Sequence, residues 1–230
     1  REVMDVEGYE TARRLNGSGV ICFVLRYRLA KDGWSGGADT SLQDAQRALR
    51  MIRLGAKDYG VDPARIGVMG FSAGGHLAAS LATGFQRQTY VSVDGADSIS
   101  ARPDFAGMVY PVITMLDPYA HKGSRDNLLG ADQSEAREIY YSPERNVGKG
   151  TPPCFLTNCA DDDVVPPENS LMFAAALRAQ KIPVEQHMFE VGGHGHGIRK
   201  AAGKPVFVWP DLFLNWGASH SFFKNRQIAI

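Results

Sequence analysis

The sequence predicts a single α/β domain over residues 1–230, with a mostly parallel central sheet and helices on both of its faces. Three observations support this fold class. Segments with helical periodicity alternate with short apolar segments along the chain, an order that is typical of parallel sheets. The length of 230 residues suits one such domain. Hydrophobic residues make up 44% of the chain, which is enough for a sizeable core.

The first elements are a helix and an apolar strand. Apolar residues recur at helical spacing over residues 6–16, and Asn16-Gly17 can end that helix. The run from Val20 to Leu25 is continuously apolar. Its length and its β-branched content predict a strand that is buried on both faces. A glycine-rich loop is expected over residues 31–40.

A second helix is predicted over residues 41–60. Ser41 and Asp44 have the spacing of a capping box at its start. Apolar residues then recur on one face of the helix. We interpret its arginines as a solvated face; they are Arg47, Arg50 and Arg53.

The remaining strands are predicted at residues 65–70, 105–112, 154–159 and 184–189. Helical patterns predict the remaining helices at residues 73–83, 167–180 and 209–218. Residues 113–150 carry proline, glycine and charges. We expect them to form a surface excursion with one short helix over residues 133–140.

Composition excludes several classes of function. The 25 basic and 25 acidic side chains cancel, so the chain lacks the electrostatic footprint of a nucleic-acid or anionic-membrane binder. The longest apolar run is far shorter than the roughly 20 residues that span a bilayer. Three cysteines cannot form a disulfide framework, and we interpret them as buried thiols; they are Cys22, Cys154 and Cys159.

The strongest chemical signal is the pattern G-x-S-x-G at residues 70–74, between a predicted strand and a predicted helix. In this context a serine lies on a tight turn that exposes its hydroxyl. The helix N-terminus stabilises developing negative charge, and the backbone N–H of Ala73 can serve as one oxyanion donor. Close packing favours glycine at Gly70 and Gly74. The pattern therefore predicts Ser72 as a nucleophile.

A nucleophilic serine needs a base and a group that orients the base. Hydrolases with this turn carry both later in the chain, the acid before the histidine. Two loops that follow predicted strands supply the candidates, which are Asp161, Asp162 and Asp163 in one and His194 and His196 in the other. A two-histidine metal site is disfavoured because further ligands are lacking. His76, four residues after Ser72, is interpreted as structural.

Residues 70–78 resemble the nucleophile turn of the α/β-hydrolase superfamily, and within it the bacterial acetyl-xylan esterase and feruloyl-esterase-like branch. Further stretches carry the same resemblance, at residues 23–29, 100–105, 110–113, 160–170, 192–195 and 209–213. The resemblance implies an α/β-hydrolase fold and a serine carboxylesterase that needs no metal or organic cofactor. Its implied substrates are short acyl esters, above all acetyl groups on xylan or xylo-oligosaccharides, without a nucleic-acid or membrane partner.

The resemblance also implies the site residues. The family's catalytic Asp lies four residues before the proline of a D-x-x-V-P stretch, which selects Asp162, and the same comparison selects His194. A bulky apolar residue is usual in the family where His196 stands, so His196 is a departure that we expect at the mouth of the pocket. The expected pocket residues are Phe71, Trp34, Val165 and His196, with the excursion at residues 113–150 near the active site.

A larger departure concerns the start of the chain. In this family a strand and a glycine-rich oxyanion loop precede the first helix, whereas this sequence begins almost at that helix. We expect those strands and the second oxyanion donor to lie upstream of Arg1. An incomplete sheet edge would make a homo-oligomer plausible.

Three other functions stay open. A feruloyl esterase would share the mechanism but take bulky aromatic acyl groups. A peptidase of the prolyl-oligopeptidase type shares the turn and the order of the triad, although it usually carries a large extra domain. A non-catalytic interaction module on a hydrolase scaffold is the alternative that the missing oxyanion loop motivates.

Overall fold

The computed structural model describes residues 5–223. At its centre lies a sheet of four parallel strands, β1 (Val68–Phe71), β2 (Ala106–Val109), β3 (Cys154–Cys159) and β4 (Val184–Phe189), in the spatial order β1-β2-β3-β4. The predictions for β3 and β4 are confirmed at the same bounds. Because the strands are parallel, their carboxyl ends meet at one edge of the sheet, where ligand sites of this fold class form.

Eight helices are described, and they cover both faces of the sheet. They are α1 (Tyr9–Asn16), α2 (Thr40–Leu54), α3 (Ala56–Tyr59), α4 (Ser72–Gly84), α5 (Lys122–Leu129), α6 (Glu135–Tyr140), α7 (Glu168–Ala179) and α8 (Trp209–Ser219). The α/β fold class predicted from the sequence is confirmed. No described helix has both the length and the apolar character needed to cross a membrane.

Alternate residues of β3 divide the core into two layers. Phe155 faces α8, where the centroid of its ring lies 5.5 Å from the ring centroid of Phe213. Leu156 faces the opposite way and packs in a cluster with Ala79 of α4 and Phe173 of α7. The small residues of α4 allow that helix to approach the sheet closely. These two layers fix the carboxyl ends of the strands in place.

The segment Val20–Leu25 differs from its prediction. It forms no strand, because no ladder of hydrogen bonds joins it to any described strand and β1 pairs only with β2. Val20 and Cys22 pack against the core, whereas Ile21, Phe23 and Leu25 are 48%, 45% and 37% exposed. The expectation of a strand buried on both faces is therefore wrong. Apolar composition supplies the side chains of a strand but not the neighbour that its backbone needs.

The predicted capping box at Ser41 and Asp44 is also wrong. Helix α2 begins at Thr40, and Asp39 at its N-cap makes no side-chain cap bond. The Asp44 carboxylate instead accepts hydrogen bonds from Arg28, from its backbone N–H at 2.8 Å and its Nη2 at 2.7 Å. A guanidinium is a stronger partner for a carboxylate than a neutral N–H group, so Asp44 turns away from the helix end.

The arginines of α2 do not form a solvated face. Their guanidinium groups hold a segment over residues 94–104 against the helix. Arg47 pairs with Asp94 through two hydrogen bonds of 2.6 and 2.8 Å, and Arg53 donates to two backbone carbonyls of the segment. Arg50 donates to a third carbonyl there. The row of arginines thus anchors a long connection that has little regular structure.

The excursion at residues 113–150 contains two helices, α5 and α6, of which only α6 was anticipated. Its first residues are not superficial, because Ile113 and Met115 are fully buried. Asn169 of α7 fixes them, since its Oδ1 accepts the backbone N–H groups of Ile113 at 2.8 Å and of Thr114 at 3.0 Å. The excursion is therefore pinned to the body of the domain where it leaves the sheet.

The three cysteines are free thiols. Cys154 and Cys159 are buried, as predicted, and burial raises the pKa of both thiols. Cys22 is only partly buried, so the prediction of a buried thiol is wrong at this position.

Candidate active site

Ser72 occupies a strained turn between β1 and α4. Its φ of 50° lies in the left-handed region that L-residues rarely adopt. Gly70 is required there, because a Cβ at that position would come within 1.9 Å of the Gly74 carbonyl oxygen. The prediction that close packing favours glycine is wrong at Gly74, where a Cβ would meet only the Tyr27 hydroxyl, at 3.8 Å. The second tight position is Gly75, where a Cβ would lie 2.7 Å from Pro111.

The side chains of Ser72, His194 and Asp162 form a hydrogen-bonded chain. Ser72 Oγ lies 2.8 Å from His194 Nε2, and His194 Nδ1 lies 2.7 Å from Asp162 Oδ2. The carboxylate can only accept, so Nδ1 carries the proton and Nε2 is free to accept the hydroxyl proton of Ser72. His194 and Asp162 have side-chain exposures of 14% and 1%. This is the arrangement in which a neutral imidazole can deprotonate a serine.

Three strand ends deliver these residues to one place. Ser72 follows β1, Asp162 follows β3 and His194 follows β4. Of the six histidines, all within the described residues, only His194 hydrogen-bonds to Ser72.

The three neighbouring aspartates have different surroundings. The second oxygen of Asp162, Oδ1, accepts the backbone N–H groups of Val164 at 3.0 Å and Val165 at 2.9 Å. Asp161 accepts from the N–H groups of Gly193 and Gly192, and these bonds lower the pKa of its carboxyl. Asp163 is exposed. Asp161 therefore shapes the loop that carries His194, while Asp162 touches His194 itself.

The loop of residues 191–197, called the His loop below, is held at several points. Lys204 Nζ donates to the Gly192 carbonyl at 3.0 Å, and Trp209 Nε1 donates to the Gly197 carbonyl at 2.9 Å. The backbone N–H of Gly197 donates to the Tyr110 hydroxyl at 3.1 Å. Because the loop is rich in glycine, these bonds rather than backbone stiffness determine where His194 lies.

Two further histidines are buried and neutral. His76 donates from Nε2 to the Tyr141 carbonyl at 2.8 Å, in keeping with its structural interpretation. His196 is 1% exposed, and its Nδ1 donates to the Gly193 carbonyl at 3.2 Å. Burial lowers the pKa of each imidazole to about 4. The expectation that His196 lies at the mouth of the pocket is therefore wrong, because its ring packs against Tyr110 inside the domain.

Two groups at the site, Tyr110 and Glu7, are not among the site residues predicted from the sequence. Tyr110 follows β2 with a φ of 39°, and its ring centroid lies 4.8 Å from that of His194. Its hydroxyl donates to Glu7 Oε1 at 3.1 Å. Burial raises the pKa of the Glu7 carboxyl, and the hydrogen bond from Tyr110 opposes this effect. Burial also raises the pKa of the Tyr110 hydroxyl, which therefore stays protonated.

A cavity of about 160 Å³ opens beside Ala73 in the first turn of α4. Tyr27 and Lys31 form part of its wall, and Met115 and Tyr141 of the excursion form another part. Residues from the predicted excursion thus line a cavity that adjoins the nucleophile turn.

None of the four expected pocket side chains is among the residues that line this cavity. Val165 and His196 are buried in the domain, and the Phe71 ring packs between those of Tyr110 and Trp209. Trp34 is 47% exposed and lies three residues beyond Lys31 in the chain. The Arg28 guanidinium covers one face of its indole, 5.1 Å from the ring centroid. Over residues 5–223, no group of three His, Cys, Asp or Glu side chains is placed to hold a metal ion.

The sequence profile of the BD-FAE family matches residues 3–177, a stretch that contains Ser72 and Asp162 and ends before His194. The chain is 40% identical over 189 residues to endo-1,4-beta-xylanase B of Butyrivibrio fibrisolvens, and 31% identical over 196 residues to an acetylxylan esterase of Xylanibacter ruminicola. These alignments cover 82% and 84% of this chain but only 29% and 38% of the two relatives.

Among solved structures, the fold is similar to that of an acetyl ester-xyloside bifunctional hydrolase from Caldicellulosiruptor lactoaceticus. The identity is 38% and the TM-score 0.85, with 93% of this chain and 76% of the other chain covered. The sheet, its helices and this likeness establish an α/β-hydrolase fold.

Proposed function

The chain belongs to the BD-FAE family, and from that premise and the site geometry we propose that it is a serine carboxylesterase that removes short acyl groups, chiefly acetyl, from xylan or xylo-oligosaccharides. One observation carries the proposal. Ser72, held at positive φ on the turn into α4, bonds to a histidine whose other nitrogen is held by a buried carboxylate. The named functions of the acetylxylan esterase and the acetyl ester-xyloside hydrolase support the choice of substrate.

In the proposed reaction Ser72 Oγ attacks the ester carbonyl carbon while His194 Nε2 takes its proton. Asp162 stabilises the imidazolium that forms. The backbone N–H of Ala73, in the first turn of α4, donates to the developing oxyanion. His194 then protonates the leaving alcohol, which breaks the ester bond and leaves an acyl-enzyme. Water attacks that acyl-enzyme with His194 as the base and restores the Ser72 hydroxyl.

A cavity beside the nucleophile turn offers room for the acyl group, and the choice of acetyl rests on the names of the two relatives. The cavity beside Ala73 has a volume of about 160 Å³, and the buried side chain of Met115 closes part of its wall. We place the sugar outside this cavity, toward the exposed indole of Trp34. Aromatic faces offer sugar rings a flat apolar surface, and because Arg28 covers one face of Trp34 we assign the sugar to the other.

Hydrolysis of p-nitrophenyl acetate and release of acetate from acetylated xylo-oligosaccharides test the proposal. The purified protein is compared with Ser72→Ala and with Ser98→Ala, an exposed serine of the segment over residues 94–104 that does not line the cavity. We expect Ser72→Ala to lose at least about 10³-fold in kcat on both substrates and Ser98→Ala to remain active. Equal activity of the wild type and Ser72→Ala would overturn the proposal.

Two further substrates separate the alternatives. Faster turnover of a feruloyl ester than of an acetyl ester would favour a feruloyl esterase. Cleavage of a proline-containing peptide without ester hydrolysis would favour a peptidase.

A further inference from the structure

Tyr110 contacts both the His loop and Glu7, although it takes no part in the reaction itself. It follows β2 directly, is 1% exposed and has a positive φ of 39°. An aromatic residue rarely adopts that conformation, so the surroundings must hold it there. The ring lies against the imidazoles of His194 and His196, with centroid distances of 4.8 and 4.5 Å.

The hydroxyl of Tyr110 reaches beyond these rings to the far end of the His loop. It accepts the backbone N–H of Gly197 at 3.1 Å, three residues after His194. Gly197 has a φ of 50°, and a Cβ there would come within 2.3 Å of the Val6 carbonyl oxygen. The backbone at Gly197 therefore leaves no room for a side chain. At this crowded position the Tyr110 hydroxyl accepts the hydrogen bond from the loop.

Glu7 determines which way this hydroxyl points. A phenol has one hydrogen to donate, and Glu7 Oε1 receives it at 3.1 Å. The lone pairs of the Tyr110 hydroxyl oxygen then point toward the N–H group of Gly197. Without an acceptor at Glu7 the O–H bond could rotate and present its hydrogen to the Gly197 N–H, and the contact would become repulsive.

We propose that Tyr110 is a positioning residue for His194, that its hydroxyl fixes the His loop through Gly197, and that Glu7 orients this hydroxyl. The inference rests on the proposed function, because its purpose is to keep His194 Nε2 within reach of Ser72. A displacement of about 1 Å in a catalytic group is enough to cost about 10²-fold in rate. Tyr110 touches neither reacting atom, so its loss should affect kcat rather than KM.

The test compares Tyr110→Phe, which keeps the ring and removes only the hydroxyl, with the wild type. We expect kcat for p-nitrophenyl acetate to fall about 10- to 100-fold while KM stays within twofold. Tyr90→Phe is the matched control, because it also removes a phenol that donates to a carboxylate, that of Asp97, and it lies away from the site. Its kinetics should equal those of the wild type.

Two substitutions of Glu7 distinguish orientation from charge. Glu7→Gln keeps a carbonyl oxygen that can accept the Tyr110 proton, and it should retain most of the activity. Glu7→Ala removes the acceptor and should lower kcat as Tyr110→Phe does. If Glu7→Gln is as impaired as Glu7→Ala, the charge of Glu7 is what matters and the inference is wrong.

Hydrogen–deuterium exchange tests the same inference without reference to activity. Peptides that cover the His loop should exchange faster in Tyr110→Phe and in Glu7→Ala than in the wild type, and peptides from α7 should not change. Unchanged exchange in the His loop, or a kcat for Tyr110→Phe within twofold of the wild type, would overturn the proposal. An inactive wild type with the expected change in exchange would instead count against the proposed function alone.

Discussion

Replacing Asp162 by Asn tests the role of the carboxylate with almost no change in shape. The structure fixes how the new amide must sit. Asp162 Oδ1 accepts two backbone N–H groups, from Val164 and Val165, and only the amide oxygen can take over that role. The amide NH2 group is then left facing His194 Nδ1, at the position where Oδ2 now lies 2.7 Å away.

This orientation gives the imidazole the wrong tautomer. An NH2 group can only donate, so Nδ1 must lose its proton and Nε2 must carry it. A protonated Nε2 cannot accept the proton of Ser72. We expect kcat to fall about 10⁴-fold, which corresponds to about 5.4 kcal/mol in the activation free energy. KM should change little, because Asp162 is buried behind His194.

The assay is the initial rate of p-nitrophenyl acetate hydrolysis over a range of substrate concentrations. Asp163→Asn serves as the control, since this neighbour has the same chemistry but is exposed. The control should keep the wild-type rate. A kcat for Asp162→Asn within tenfold of the wild type would show that the tautomer argument is wrong and that another group orients His194.

Three further outcomes are expected. Asn169→Ala should lower the free energy of unfolding by about 2–4 kcal/mol in urea titrations, because the side chain satisfies two buried N–H groups and donates to two carbonyls. Trp34→Ala should lower kcat/KM about fivefold on acetylated xylo-oligosaccharides, equivalent to about 1 kcal/mol of lost stacking, and leave p-nitrophenyl acetate unaffected. Burial lowers the pKa of His76 and His196 to about 4, so the unfolded chain takes up protons first as the pH falls below about 6.5. The free energy of unfolding should therefore decrease between pH 6.5 and 4 by up to about 1.4 kcal/mol per pH unit for each histidine, and His76→Gln should make this slope shallower.

Sequence reasoning works best where the signal is local. The bounds of β3 and β4 are predicted correctly from the chain between neighbouring turns, and the position of Ser72 follows from a five-residue pattern between a strand and a helix. Parallel strands also imply that the loop carrying Asp161, Asp162 and Asp163 lies close to the His loop, because both loops leave the same edge of the sheet.

The errors share a physical cause, which is a partner far away in the chain. Val20–Leu25 has the composition of a strand, but pairing depends on a neighbour. Asp44 has the spacing of a capping residue, but Arg28 binds it. Tyr110 and Gly197 are 87 positions apart, and no local pattern announces their hydrogen bond. The resemblance to a known family, rather than the residues alone, selected Asp162 from its two neighbours.

The backbone conformation of Ser72 makes selection for stability and selection for turnover favour different residues. A φ of 50° is unfavourable by about 1–2 kcal/mol for any residue with a Cβ, and glycine would remove that penalty. A screen that rewards heat resistance alone would therefore accept glycine at this position and discard the hydroxyl. Laboratory evolution of a more robust protein would need to select for turnover in every round, because at this residue robustness and turnover favour different amino acids.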